Sequence, residues 1–140
     1  MKKSTEELLK TLKHAPDYDS YLKNEQENFT VCPLSDYLSA LCAKKNTAPA
    51  QCISRSGLDR PHAHQIFSGH KNPTRDKVLA LCFGFLLSLD ETQTLLKCTG
   101  YGPLYPRDPK DSLIIFALQR NYSIADVNEL LFEKGFSLLH

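Results

Sequence analysis

The chain has 140 residues, 41% of them hydrophobic and 24% charged, which fits one folded domain or a small domain with accessory helices and excludes disorder as the default state. Seventeen Lys and Arg against sixteen Asp and Glu leave a formal charge of +1, a total that by itself argues against a nucleic-acid binder. The distribution argues differently. Residues 1–30 carry five basic and six acidic groups, a net of −1. Residues 31–75 carry Lys44, Lys45, Arg55, Arg60, Lys71 and Arg75 against Asp36 and Asp59, a net of +4, and include His62, His64 and His70. Residues 76–140 carry six basic and eight acidic groups, a net of −2. A basic middle is flanked by mildly acidic ends.

Apolar residues recur at steps of three and four almost throughout and nothing alternates for long, so the chain reads as all helix. Ser4-Thr5-Glu6-Glu7 ahead of Leu8, Leu9 and Leu12 predicts a short amphipathic helix with an N-terminal cap. Ala15-Pro16 breaks it, and Tyr18 to Asn28 is a polar, weaker helical stretch. Pro33 stands at a natural first-turn position for a helix with Leu34, Leu38, Leu41 and Cys42 on one face. Thr47 can cap a helix from Ala48 to Ser56, and Gly57 supplies the positive φ that a sharp turn needs. Asp59 can cap the next helix, which tolerates Pro61 in its first turn and ends at Gly69. Two short helices joined by a glycine turn form the DNA-reading unit of many regulators.

The second half repeats itself at an offset of 35 residues: Asp76 to Tyr101 aligns without gaps on Asp111 to Phe136. Ser88 meets Ser123, Glu91 meets Asp126, Gln93 meets Asn128, and Gly100-Tyr101 meets Gly135-Phe136. Each copy reads as helix, short turn with a Ser cap and an acid three residues on, second helix, and a glycine stop. Duplication and shared capping rules both account for the likeness. Three prolines stiffen the connector Gly102 to Pro109 between the copies.

From Gly57 onward the residues resemble the lambda-repressor and Cro-like helix-turn-helix family, often called XRE. Gly57, Asp59, Ile66, Gly69, Asn72-Pro73, Val78-Leu79, Leu81 and Leu87-Ser88-Leu89-Asp90-Glu91 follow that family's pattern in order and without gaps. The resemblance covers roughly Leu34 to Leu95. The departures are specific. Pro49 stands where the family often has a phosphate-touching Gln, Cys52-Ile53 replaces a Leu-Ala pair, Ala63 replaces a β-branched residue, and Leu86 replaces the glycine that commonly ends the fourth helix. A larger Ile53 opposite a smaller Ala63 conserves volume between the paired helices.

The resemblance implies an all-α, lambda-repressor-like five-helix DNA-binding domain over 31–101. An N-terminal helical segment precedes it over 1–30, and a connector and helical hairpin follow over 102–140. On a helical wheel Arg60, Pro61, His64, Gln65 and Ser68 fall within about 140° of one another, opposite Ala63 and Ile66. Arg60 can pair with guanine, Gln65 with adenine, and Pro61 can touch a thymine methyl; His64 shares their face. In the family, residues matching Arg60, Pro61 and Gln65 commonly make base contacts. Ser68, Gly69, Lys71, Lys44 and Lys45 are the expected phosphate contacts. So few cations imply weak binding by one copy, hence a homodimer on a near-palindromic site in double-stranded DNA, with the terminal helices as dimer or partner surfaces.

Other chemistries find less support. The five cysteines lie no closer than ten residues apart, so no C-x-x-C knuckle exists, and their odd number is expected of small core residues in a reducing cytoplasm. His62 and His64 lie about 200° apart on a helix and cannot chelate together, so neither metal nor cofactor is expected. No run approaches 18 apolar residues and no apolar targeting region follows Met1, so neither a membrane span nor export is expected. There is no glycine-rich phosphate loop, nucleophile elbow or H-E-x-x-H, so no enzyme is expected. The alternative is an adaptor whose helix-turn-helix meets a protein, which Pro49 and the acidic flanks favour.

Overall fold

Caps and helix-stopping residues divide this sequence into short helices, and the computed structural model describes them over residues 4–17 and 31–140. The weak helix expected over Tyr18 to Asn28 lies outside the described residues. The chain forms two units, Met1–Thr30 and Val31–His140, and each is taken by itself.

In the first unit, α1 spans Thr5–His14. The Ser4 side chain accepts from the Glu7 N–H at 3.2 Å. Glu6 and Glu7 occupy the first turn, and Lys13 and His14 the last, each charge on the end of the helix dipole that favours it.

The second unit holds seven helices: α2 (Leu34–Lys44), α3 (Pro49–Ser56), α4 (Arg60–Phe67), α5 (Arg75–Gly84), α6 (Leu89–Cys98), α7 (Pro109–Gln119) and α8 (Ile124–Glu133). Among the described residues there are eight helices and no strand, an all-α fold. α3 packs on α4 and most extensively on α5, α2 on α4, α7 on α8, α5 on α8 and α6 on α7. One apolar cluster runs through all of this, from Leu38 and Ile53 through Leu79 and Leu95 to Ile114 and Leu131. The closest approach is at Gly84, where a Cβ would stand 2.3 Å from the Cys52 carbonyl oxygen. Only glycine lets α5 lie this near α3.

The 35-residue repeat is visible in the bonds. Ser88 and Ser123 each cap a helix, the side chain accepting from the N–H of the acid three residues on and the serine N–H donating back to that acid's carboxylate, Glu91 and Asp126. Gly100 and Gly135 stop the helices at φ 83° and 79°. The turn between the helices of each copy has a residue in the left-handed region, Leu86 at φ 59° and Asn121 at φ 57°. It is closed by matching bonds, from the Leu87 N–H to the Cys82 carbonyl and from the Tyr122 N–H to the Ala117 carbonyl.

The same turn appears between α2 and α3, with Asn46 at φ 50° and the Thr47 N–H on the Cys42 carbonyl. Here the expected cap is corrected. Pro49 fits only the first helical position, because it has no N–H to give, and that makes Ala48 the cap residue. The Thr47 hydroxyl instead donates back to the Lys45 carbonyl at 3.1 Å, and Gln51 Oε1 accepts from the Ala48 N–H at 2.9 Å.

Candidate functional site

α3, the turn at Gly57 and α4 carry the residues singled out from sequence. Gly57 adopts φ 72° and ends α3. The buried Ser56 hydroxyl steadies the turn by donating to the Ile53 carbonyl at 2.7 Å and accepting from the Leu58 N–H at 3.2 Å. The Asp59 carboxylate then accepts from the His62 N–H at 3.2 Å and starts α4, with Pro61 in the first turn. Ser56 is a residue that sequence reading passed over. Its only signal is a small polar residue next to a turn glycine, which many exposed positions share.

α4 is two-sided, as its spacing requires. Ala63 and Ile66 are buried in the core, whereas Arg60, Pro61, His64, Gln65 and Ser68 are exposed. His62 turns toward α5, with its Nε2 3.0 Å from Lys77 Nζ, while His64 faces solvent.

At the end of α4 the main chain uses its own donors. The Ser68 N–H bonds the His64 carbonyl, Gly69 bonds Ile66, and His70 and Lys71 both bond Gln65. Ser68 Oγ bonds the Gln65 carbonyl at 3.1 Å and lies 2.7 Å from His70 Nδ1. Gly69, at φ 85°, lies against Ser35 at the start of α2. What this corner offers outward is therefore charge on Lys71 and the ring of His70, rather than main-chain N–H groups.

Lys44 and Lys45 sit at the other end of α2. Nine residues from Ser35 to Lys44 at 1.5 Å each separate them from the Gly69 corner by about 13 Å along the helix. Lys44 is exposed. Lys45 is paired with Glu91 at 2.5 Å, and that bond together with the Ser88 N–H holds the Glu91 carboxyl below its ordinary value.

Arg75 is likewise paired, with Asp111. Thus two of the six basic residues of the 31–75 stretch are matched by acids from beyond it. Among the described residues, Lys44, Arg55, Arg60 and Lys71 form no ion pair. Arg55 reaches the Gly84 carbonyl at 3.4 Å.

The turn also has a neighbour that no local pattern reveals. A Cβ at Gly57 would lie 3.6 Å from the Ile124 side chain, so the start of α8 rests against the turn. No group of three or more His, Cys, Asp or Glu side chains among the described residues is arranged to hold a metal ion, and no described helix is long and apolar enough to cross a membrane. No family model matches the chain, and no curated protein or solved structure is found similar to it.

Proposed function

We propose that the protein is a sequence-specific DNA-binding transcriptional regulator of the lambda-repressor and Cro-like, or XRE, kind, acting in the cytoplasm without covalent chemistry. The observation that carries this reading is the two-sided α4. Arg60, Pro61, His64 and Gln65 are exposed together on a helix whose opposite side, Ala63 and Ile66, is locked into the core.

In this reading α4 enters the major groove, and Arg60 and Gln65 read guanine and adenine edges by paired hydrogen bonds. Pro61 meets a thymine methyl, and His64 borders them. Lys71 and Lys44 set the register on phosphates, and Ser68, Gly69 and Lys45 join them only where the Gln65 and Ile66 carbonyls and Glu91 release them. With few unpaired cations on this side, a single copy binds weakly, so two copies share a near-palindromic site.

Selection of bound sequences from random duplex DNA tests the proposal. One motif is expected to be enriched, with affinity falling steeply between low and moderate salt as counterions are released. Each paired contact contributes about 1–3 kcal/mol, so R60A/Q65A loses about 30-fold or more in specific affinity. Its circular dichroism should match that of the parent protein. Folded protein that enriches no site points instead to the second reading, a protein-binding adaptor. Two observations favour that reading: Pro49 has no donor for a phosphate at the start of α3, and Lys45 is neutralised by Glu91.

A further inference from the structure

The five cysteines do not share one environment. Cys52 and Cys82 are buried, and burial pushes both thiols up to about 12. Cys52 Sγ also bonds the Leu81 carbonyl at 3.5 Å. Cys42 is half-buried on α2, with burial raising its thiol as well. Cys52 and Cys82 behave as small core residues, closed to mild oxidants by burial.

Cys32 and Cys98 stand apart. They are 66 positions apart in the chain, yet the Cys32 N–H donates to the Cys98 carbonyl at 2.8 Å. One residue earlier, the Val31 side chain lies 3.4 Å from where a Cβ on Gly100 would be. Residues 31–32 therefore lie against the end of α6 and its glycine stop. A single N–H···O=C bond of 2.8 Å holds the two Cα atoms roughly 5–6.5 Å apart, within the roughly 4.4–6.8 Å that disulfides span. The Tyr37 phenol is pushed above its ordinary value by burial and then by the thiols of Cys98, Cys32 and Cys82. Both Cys32 and Cys98 are only half-buried, within reach of a small oxidant.

We propose that Cys32 and Cys98 form a peroxide-responsive thiol pair, closing to a disulfide that joins the chain just before α2 to the end of α6. Hydrogen peroxide takes two electrons from one thiolate. The S–O bond forms as the O–O bond breaks, leaving a sulfenic acid and hydroxide. The second thiolate attacks that sulfur, the S–S bond forms, and the S–O bond breaks with loss of hydroxide. With the two thiol protons, both peroxide oxygens leave as water. The closed loop encloses α2 to α6, and so both α3 and α4. The inference does not depend on whether α4 reads DNA.

The test uses the full folded chain treated with stoichiometric hydrogen peroxide, then unfolded and alkylated. The expected result is a monomer whose alkylatable thiols fall from five to three, with fragmentation joining Cys32 to Cys98. Cys32 and Cys42 share one tryptic fragment, so C42S is read in parallel: it keeps the link, whereas C98S and C32S each lose it. Circular dichroism verifies that each variant is folded. A link to any other cysteine, a disulfide between two chains, five thiols remaining, or sulfinic acid at either position without the link overturns the proposal.

Discussion

Asp111 lies in the first turn of α7 with only 7% of its surface exposed, and its carboxylate accepts three hydrogen bonds. Arg75 donates to it through Nη1 at 2.9 Å and Nη2 at 3.0 Å, and the Tyr105 N–H donates at 3.0 Å. Burial alone raises a carboxyl. Here the Arg75 and Tyr105 hydrogen bonds and the charges of Arg75 and Lys110 outweigh it, and the group sits below its ordinary value. A carboxylate depressed in the folded state contributes stability that is fully present above about pH 4–5 and is lost as pH falls through the folded value. Glu91 acts in the same sense through Lys45 and Ser88. D111N is expected to lower unfolding free energy at pH 7 by about 2 kcal/mol, because Arg75 keeps its charge without a full partner. Its urea midpoint should also change less than the parent's between pH 5 and pH 3. Equal pH dependence in the two proteins would show that Asp111 is not the group responsible.

At the scale of the element, the repeat governs how the hairpins end. Gln93 on α6 grips the main chain of the buried Leu104, donating to its carbonyl at 2.9 Å and accepting from its N–H at 2.7 Å. Asn128 on α8 does the same to Leu139, at 3.4 and 2.8 Å. The basic residue just before each copy makes a matching reach: Arg75 to the carbonyls of Gly102 and Pro103, and Lys110 to Ser137 Oγ. Shared capping rules do not require these long-range bonds to fall at one offset, so their recurrence favours duplication. Alanine at either amide strands a buried N–H and carbonyl, at a cost of about 1–3 kcal/mol. Q93A should lower the melting temperature cooperatively. N128A should raise hydrogen exchange over residues 136–140, where Asn128 holds the main chain of Leu139. The caps at Ser4, Asp59, Ser88 and Ser123 and the stop at Gly57 were legible because they are local bonds between neighbours. The cap expected at Thr47 moves to Ala48 because Pro49 takes the first helical position, and the Thr47 hydroxyl turns back to the Lys45 carbonyl. The amide clamps had no local signature, since their partners lie eleven residues away in turns without pattern.

For the whole Val31–His140 unit, one core joins α3 and α4 to the C-terminal hairpin, with Ile114, Ala117, Val127 and Leu131 as fully buried as Ile53 and Leu79. Removing residues 102–140 would strip these contacts from α5 and α6, take Ile124 from the turn at Gly57, and leave Arg75 without Asp111. The remaining 1–101 chain should lose cooperative thermal unfolding and bind a hydrophobic dye. A sharp two-state melt from that fragment would show the hairpin to be an accessory.

Hydrophobic periodicity, cap residues and turn glycines determined the helical class, the order of the described helices and which side of α4 faces out, because each is a short-range interaction written in consecutive residues. Tertiary structure alone decided the charge of the candidate interface, since Glu91 and Asp111 return from the acidic half to neutralise Lys45 and Arg75. It alone decided that Gly84 must be glycine, that Ile124 backs the turn, and that Cys32 meets Cys98. Those facts depend on chain segments made neighbours by burying a common core, and no count of residues along the sequence contains them.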